Sequence, residues 1–402
     1  MNLRIDKATE VSLLFAALAA LGIGLLLVRM TLPLALGVGL GLVVLVIAIA
    51  SDELALYLLI FSMLLGPELV VGELGEGATL GRGLTFRLDD VLIVIIGFTW
   101  VAKTALYKEL GLFLRTPLNR PIAAYSLAAI FATGLGMIAG RVQVLGGSLF
   151  VLKFIQYFVI YFMVVNILRE RRQFERFLLA LLATAGISSL IGILQIPSGL
   201  RVSAPFEGGA GEPNTFGGYL VLMLAVVGGL YLTTESLKRK FLLPILAVLI
   251  LIPLIYTLSR SSYLALIPLA GGFLAFSQRR LLIASTLALS LVLAPFLLPK
   301  AVVDRVLFTF TQPFHPGQAQ VAGFRLDTST SARLQSFQDV AFTDWPKHPT
   351  FGYGVTGYHF IDSQYLRVLA ETGLVGLFAF LWLQISLFRQ ARDILRKTQD
   401  PL

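Results

Sequence analysis

The chain has 402 residues, of which 57% are hydrophobic and only 14% are charged, and its mean hydropathy is +0.84. This composition excludes an ordinary soluble protein and indicates an integral membrane protein. The formal net charge is +9, and the absence of cysteine excludes disulfides and thiolate metal sites.

Apolar stretches of about 20 residues, the length that crosses roughly 30 Å of hydrocarbon, recur from one end of the chain to the other. We predict twelve transmembrane helices, at residues 11–28, 31–50, 54–71, 90–107, 122–139, 150–168, 177–196, 214–233, 241–258, 262–277, 281–298 and 365–388. No small-residue cleavage site follows the first stretch, so we expect a retained span rather than a removed signal peptide. The predicted fold class is an all-α polytopic membrane protein with a single transmembrane domain over residues 1–402.

Basic residues cluster in alternate connections between the predicted spans, and such clusters stay on the cytoplasmic side of a membrane. The segments RERRQFER at 169–176 and LKRK at 237–240 are two of these clusters. The alternation predicts that both termini are cytoplasmic. Contact with anionic lipid then explains the net charge of +9, and we expect no nucleic-acid partner because no basic groove studded with aromatic residues occurs.

The connection between the last two predicted spans, residues 298–364, is much longer than the others, and the alternation assigns it to the outer face. Long ordered loops often carry function. Within it the stretch TSTSARLQSFQDVAF begins with Ser and Thr, which cap helices, and continues with apolar residues at helical spacing, such as Phe337 and Val340. We therefore predict an amphipathic helix at about residues 330–343 that lies along the membrane surface.

Arg260, at the outer end of a predicted span, has no Asp or Glu nearby in sequence, as the stretch YTLSRSSYLALIPLA at 256–270 shows. An ionisable residue at this depth either marks a functional site or extends its side chain to the lipid headgroups. Three further arginines lie among turns on the same predicted face: Arg201, Arg325 and Arg333. A guanidinium offers a planar fork of donors that suits phosphate oxygens, so we predict that these arginines bind a lipid pyrophosphate.

Residue spacing disfavours both metal binding and nucleophilic catalysis. The histidines of the long loop and the aspartates near them match no metal-ligand pattern: His315, His348, His359, Asp344 and Asp362. The serines around Arg260 have no base beside them in sequence and are typical of helix packing. We therefore predict no metal and no cofactor.

Four motifs occur in order along the C-terminal half of the chain: RVSAPFEGGAGEPNTFGGYL at 201–220, SRSSYLAL at 259–266, SARLQSF followed by HPTFGYGVTGY within 331–358, and DSQYLRVLAETGLVGL at 362–377. In this order and spacing they resemble the motifs of the O-antigen ligase and polymerase superfamily. Its members are polytopic enzymes that handle undecaprenyl-pyrophosphate-linked glycans on the periplasmic face of the bacterial inner membrane. Ala204 stands where the superfamily usually has Gly, and residues 1–190 resemble it only in hydropathy.

The resemblance implies a fold of the C-type glycosyltransferase class, with residues 298–364 as a large periplasmic loop. It places Arg201 and Arg260 at the positions of arginines that bind the lipid pyrophosphate, with Arg333 as a third. Arg325 stays a further candidate because it lies on the same predicted face. An acceptor hydroxyl attacks the anomeric carbon of the sugar as undecaprenyl pyrophosphate leaves. Fixed positive charge stabilises this leaving group without a metal.

A base must remove the proton of the acceptor hydroxyl, and four candidates remain open: Asp362, His359, Glu207 and Glu212. Asn214 and Tyr365 lie within the resembling motifs, and we expect them to contact the pyrophosphate or the glycan.

One substitution bears on which reaction of the superfamily this chain performs. Where the ligase pattern has His-Asn before x-Tyr-Leu, this chain has Asp362 and Ser363. A histidine suits activation of a hydroxyl on lipid A-core, whereas a carboxylate suits an acceptor that is another repeat unit, so we predict an O-antigen polymerase. The alternatives are an O-antigen ligase, a flippase or transporter of the lipid-linked sugar, and a role of Asp362 as a helix cap only. The expected partners are an undecaprenyl-pyrophosphate-linked oligosaccharide, the bilayer and, as a further candidate, a chain-length regulator.

Overall fold

The structure is a computed structural model that describes residues 32–65, 68–69, 86–106, 116–205, 211–297, 299–313, 316, 318–321 and 324–397. The predicted span at 11–28 lies outside these residues, as do Glu207 and His315. The helices are α1 (Leu32–Ala50), α2 (Asp52–Leu65), α3 (Leu88–Leu106), α4 (Asn119–Ile138), α5 (Val144–Ile167), α6 (Arg171–Gln195), α7 (Pro213–Thr233), α8 (Leu237–Tyr256), α9 (Arg260–Phe276), α10 (Arg280–Leu297), α11 (Lys300–Thr311), α12 (Thr328–Gln338) and α13 (Gln364–Lys397).

Short elements complete the described structure. Four two-residue strands form two antiparallel pairs: β1 (Glu68–Leu69) pairs with β2 (Phe86–Arg87), and β3 (Gln320–Val321) pairs with β4 (Phe324–Arg325). A 3₁₀ turn at Ile196–Ser198 follows α6, and a π-helical turn at Asp339–Asp344 and a 3₁₀ turn at Trp345–Lys347 follow α12.

The helical architecture of a membrane protein is confirmed. A helix occurs at each predicted span from the second to the twelfth. In the described parts of the chain, α4, α5, α6 with the turn after it, α7, α8 and α13 are long and apolar enough to cross a membrane. The helices α9 and α10 are apolar but shorter, so twelve spans and an external loop at 298–364 stay predictions.

Two details of the predicted elements are corrected. The third predicted span, 54–71, ends as a helix at Leu65, and β1 lies within its last part. In the long loop, an additional helix, α11, precedes the predicted one, and the predicted helix begins at Thr328 and passes into a π-helical turn at Asp339.

The core between α6, α7 and α8 positions the chain that leaves α6. Phe216 of α7 and Leu254 of α8 are fully buried, and Val202 and Ala204 of the connecting segment are buried in the same cluster. Burial of two such side chains contributes several kcal/mol, which fixes this segment against the ends of α7 and α8. Arg201, directly before Val202, is thereby held at that end of the helices.

The helix α13 is broken at Gly373, whose φ of 63° is not helical. The segment that follows the turn at Trp345–Lys347 lies against this break. Four backbone hydrogen bonds join the two: Tyr353 N to Ala370 O (2.9 Å), Gly354 N to Glu371 O (2.9 Å), Leu374 N to Pro349 O (2.9 Å) and Val375 N to Thr350 O (3.2 Å). Backbone groups that the break removes from the helical ladder thus bond to another segment instead of remaining unsatisfied.

Only glycine fits at this break. A Cβ atom at position 373 would lie 2.3 Å from the carbonyl oxygen of Thr350, and the positive φ already disfavours other residues. We expect Gly373→Ala to lower the free energy of unfolding by at least about 2 kcal/mol, which thermal unfolding of the detergent-purified protein measures.

Gly271 provides the matched control for this substitution. It lies inside α9, and no atom lies within 4 Å of the position that a Cβ atom would take there, so Gly271→Ala is expected to be neutral or slightly stabilising. Equal unfolding midpoints for the two variants would contradict the role given to Gly373.

Candidate active site

The segment after α6 is anchored at both of its edges. The side chain of Gln195 exchanges two hydrogen bonds with the backbone of Ser203, at 3.1 Å and 3.0 Å. On the other edge, Val202 N donates to Tyr256 O, at the end of α8 (3.1 Å). These bonds and the burial of Val202 leave the neighbouring Arg201 side chain beside the turn that joins α8 to α9.

Arg201 binds the carbonyl groups at the end of α8. Its Nε donates to Thr257 O (2.9 Å), and its Nη2 donates to Leu258 O (3.4 Å) and to Asn214 Oδ1 (3.3 Å). The last carbonyls of a helix lack partners within the helix and carry partial negative charge, so a guanidinium there is favourable. Asn214 in turn donates to the carboxylate of Glu212 (2.7 Å), which connects two of the predicted site residues to Arg201.

The turn between α8 and α9 is built from small polar residues. Leu258 has a φ of 50°, an uncommon conformation for a residue other than glycine. Ser259 caps α9, since its Oγ accepts from Ser262 N (3.3 Å) and from Ser262 Oγ (2.8 Å). Both serines are buried. The serines of the SRSS motif therefore fix the start of the helix, and Arg260 is its first residue.

Arg260 forms an ion pair that its sequence neighbourhood did not reveal. Its Nη2 lies 3.1 Å from Oδ1 of Asp327, a residue 67 positions further along the chain. The carboxylate is 2% exposed and the guanidinium 24%. Arg260 thus has a carboxylate partner even though no Asp or Glu lies near it in sequence, because the partner comes from the long loop.

Asp327 is also the N-cap of α12. Its carboxylate accepts from the backbone amides of Ser329 (3.0 Å) and Thr330 (3.2 Å) and from the Thr330 hydroxyl (2.6 Å). Burial by itself raises the pKa of Asp327, but the hydrogen bonds from Thr330 and Arg260 outweigh it, so the pKa lies below its usual value. The aspartate therefore stays charged, and it connects α12 to the start of α9.

Arg333 and Asp362 form a second, more exposed pair. Arg333 Nε lies 3.5 Å from Asp362 Oδ2, and the two side chains are 52% and 57% exposed. The helix α13 begins after Asp362, since Arg367 N donates to Ser363 O (2.9 Å). Asp362 thus precedes the capping residue, and its carboxylate faces Arg333, which disfavours a capping role.

Aromatic residues lie close to Asp362 in sequence. The exposed ring of His359 lies against the ring of Tyr358, with centroids 4.1 Å apart and planes tilted by 34°. The exposed ring of Tyr365 and the ring of Phe380 pack edge to face, with centroids 5.7 Å apart. Tyr358 donates from its hydroxyl to Asp344 (2.6 Å). His359, Asp362 and Tyr365 are thus close in sequence, and all three side chains are exposed.

The helix α12 separates the two groups of residues. Asp327 lies at its N-cap and Arg333 six residues further on, which corresponds to about 9 Å along the helix axis at 1.5 Å per residue. The predicted site residues therefore divide into a group with Arg201, Asn214, Glu212 and Arg260 and a group with Arg333, His359, Asp362 and Tyr365. Arg325 lies exposed in β4, where its backbone pairs with Gln320 of β3.

The remaining histidine of the described loop has a different partner. An Arg141 Nη1 lies 3.1 Å from Nε2 of His348, and since arginine only donates, this nitrogen of His348 accepts. Burial and the positive charges of Arg141 and Lys347 lower the pKa of His348, which favours the neutral ring. Within the described ranges, no three His, Asp or Glu side chains lie together as metal ligands.

Sequence reasoning missed two charged residues of this region. Asp327 directly precedes the Ser and Thr of α12, and Asp at that position is a strong N-cap signal that pointed to it. Arg305 lies in α11, and the alternation of Val302, Val306 and the charged residues of that stretch shows helical spacing. Burial lowers the pKa of Arg201, and the positive charge of Arg305 is the next largest cause of this shift.

Comparison with known proteins supports the resemblance drawn from the motifs. Residues 245–381 match the O-antigen ligase family, and this stretch contains the SRSS motif, the HPTFGYGVTGY segment and the start of α13. The resemblance to the O-antigen ligase and polymerase superfamily is thereby confirmed for the part that holds Arg260, Asp327, Arg333 and Asp362. The match indicates glycosyltransferase-type activity in O-antigen assembly and does not distinguish ligase from polymerase. No curated protein matches the chain.

Two substitutions separate the capping role of Asp327 from its ion pair. Asn caps a helix as well as Asp does but carries no charge. Ala carries no charge either, and it cannot cap the helix. We expect Asp327→Ala to lower the free energy of unfolding by about 1 kcal/mol more than Asp327→Asn, because it also deprives the amides of Ser329 and Thr330 of their acceptor. Thermal unfolding measures the difference, and equal midpoints for the two variants would contradict the capping role.

The ion-pair part of this stability depends on pH in a defined direction. The folded-state pKa of Asp327 lies below the usual 3.8, so the charged carboxylate stabilises the fold above that value, and the contribution is lost as the pH falls through the lower folded-state pKa. The stability difference between the unmodified protein and Asp327→Asn should therefore be constant near neutral pH and close only below about pH 4. If this stability difference disappeared near pH 6, it would have to be assigned to another titrating group.

Proposed function

We propose that the protein is an O-antigen polymerase. It transfers a glycan from undecaprenyl pyrophosphate to a sugar hydroxyl of another lipid-linked repeat unit, without a metal ion. The reaction takes place at the periplasmic face of the bacterial inner membrane, with both termini of the chain in the cytoplasm. Residues 298–364 form the large periplasmic loop that brings α12 and the Asp362 region to the site.

Arg201 and Arg260 lie at the same turn, between α8 and α9, and this observation supports the proposal most directly. Arg201 binds the carbonyls of Thr257 and Leu258, and Arg260 follows two residues later. Both guanidiniums are partly exposed. Each guanidinium has five N–H donors and stays charged at any working pH, so it can bind a protein acceptor and a phosphate oxygen together. Such a pair suits the diphosphate of the lipid donor.

Charge stabilisation explains how these arginines promote transfer. The bond between the anomeric carbon and the pyrophosphate oxygen breaks while the bond to the acceptor oxygen forms, and negative charge grows on the departing undecaprenyl pyrophosphate. Guanidiniums fixed in advance by Thr257 O and Asp327 need little reorganisation to meet that charge. The leaving group is thereby stabilised more than the bound donor, which is the condition for catalysis.

The group around Asp362 is proposed to bind the acceptor hydroxyl and to remove its proton. A carboxylate accepts a hydrogen bond from a sugar hydroxyl and takes its proton as the new bond forms. His359 is the second candidate for this base. The distance of about 9 Å along α12 leaves room for a sugar residue between Arg260 and this group, and the exposed rings of His359 and Tyr365 are available to contact a glycan.

An O-antigen ligase is the second candidate function, because the match at 245–381 is to a family of that description. The ligase transfers the glycan to lipid A-core instead of to a repeat unit. The presence of Asp362 where the ligase pattern has histidine favours the polymerase.

The products of the purified protein distinguish the two. The protein is incubated with undecaprenyl-pyrophosphate-linked repeat units alone, and separately with these donors and lipid A-core, and the products are resolved on a gel. A ladder of lengthened glycan from repeat units alone is expected. Transfer only to lipid A-core would replace the polymerase by the ligase, and no transfer to either acceptor would overturn both.

Substitution by lysine tests the arginines with little disturbance of the fold. Lysine keeps the positive charge that faces Asp327 but loses the planar fork, so Arg260→Lys is expected to fold normally and to lower turnover by on the order of 10², the scale for one preorganised donor. Arg201→Lys should behave in the same way. Initial rates with the lipid-linked donor measure the effect.

Arg280 offers a matched control, since it is an exposed arginine at the start of the next helix, α10. Arg280→Lys should leave turnover unchanged. Normal turnover in Arg260→Lys would reduce Arg260 to a structural partner of Asp327.

Asp362→Asn tests the base. The substitution removes the charge and the proton acceptor, and it leaves the first helical hydrogen bond of α13, which Ser363 accepts, intact. We expect loss of polymer at normal protein level, with Asp393→Asn, an exposed aspartate at the far end of α13, as the control. Full activity of Asp362→Asn would transfer the role of base to His359 or another group.

A further inference from the structure

The helix α11 turns one charged side chain inward. Val303 and Leu307 are 40% and 52% exposed, whereas Arg305 is half-buried. Successive helical residues are about 100° apart, so Val303 and Leu307, each two positions from Arg305, lie about 160° away from it around the axis. Val303 and Leu307 therefore lie on the outer side of α11, whereas Arg305, whose Nε is buried, lies near the buried Val302 on the side that faces the interior.

Contacts at the end of α11 connect this helix to the arginine pair. Gln312 exchanges two hydrogen bonds with Thr328, at 3.1 Å and 3.0 Å. Thr328 follows Asp327, whose carboxylate binds Arg260. The end of α11 is thus held one residue from the carboxylate that orients Arg260.

The positive charge of Arg305 acts on Arg201. Burial lowers the pKa of Arg201, and among charged neighbours Arg305 lowers it most, more than Arg260 does, while Glu212 raises it. Arg305 therefore lies within electrostatic range of Arg201, on the side of α11 that faces the interior.

Arg305 has an unmet hydrogen-bonding demand. Its Nε is buried and has no hydrogen-bond partner among the described residues. A buried donor without an acceptor destabilises the fold, and the repulsion between neighbouring guanidiniums adds to this cost. An anion that reaches between Arg201, Arg260 and Arg305 would relieve both.

We propose that Arg305 is a third guanidinium that binds the diphosphate of the lipid donor and makes the site prefer a diphosphate to a monophosphate. Arg201 and Arg260 flank one turn and meet one phosphate group, whereas Arg305 comes from a separate helix and meets the second. The inference rests on the proposed function, because the donor is taken to be a polyprenyl diphosphate.

Two short-chain probes test this selectivity. Binding of farnesyl diphosphate and of farnesyl monophosphate to the detergent-purified full chain is measured by isothermal titration calorimetry for the unmodified protein, Arg305→Ala, Arg305→Lys and Lys300→Ala. Arg305→Ala is expected to weaken diphosphate binding about tenfold or more and monophosphate binding by less than about threefold. Arg305→Lys should recover part of the loss, since it restores charge without the fork.

Lys300 is the matched control, because it is an exposed cation at the start of the same helix. Lys300→Ala should bind both probes as the unmodified protein does, and thermal unfolding midpoints show that each variant is folded. Diphosphate binding unchanged in Arg305→Ala, or weakened equally for both probes, would overturn the inference and leave the proposed function intact. If the unmodified protein binds neither probe, the polyprenyl donor of the proposed function fails, and the inference fails with it.

Discussion

The ion pair between Arg260 and Asp327 holds the candidate site together. It joins the first residue of α9 to the N-cap of α12, two positions separated by 67 residues. A buried carboxylate is costly unless it is paired and fully hydrogen-bonded, and Asp327 meets this condition with two backbone amides, a hydroxyl and a guanidinium. Because one carboxylate serves both helices, the direction of α12 and the orientation of Arg260 are set together.

The position of Arg333 depends on the ion pair between Arg260 and Asp327, because Asp327 is the N-cap of the helix that contains Arg333. The helix α12 connects Asp327, which binds Arg260, to Arg333, which meets Asp362, so six residues of one helix lie between the two ion pairs. A site built in this way holds its two ends at a fixed separation without direct contact between them. Catalytic groups gain most when their supports are rigid elements rather than loops.

Much of the helical framework is readable from sequence, because hydrophobic stretches of spanning length are the dominant signal in such a chain. The predicted spans at 214–233 and 241–258 agree closely with α7 and α8. The pairing of Arg260 with Asp327 was not readable, since nothing in either neighbourhood specifies a partner in a distant loop. The break at Gly373 was missed for another reason, because glycine is common within apolar stretches. Only the close approach of Thr350 shows why position 373 must be glycine.

The break in α13 has a consequence for how the chain is made. Gly373 lies nine residues into the helix, about 14 Å from its start, and the groups that satisfy the break come from residues 349–354, which are synthesised earlier. Amides without hydrogen-bond partners within an apolar helix oppose its transfer into hydrocarbon. We therefore expect that membrane insertion of α13 and docking of the preceding loop occur as one step of biogenesis, so that a chain with an undocked loop also has an incompletely inserted helix.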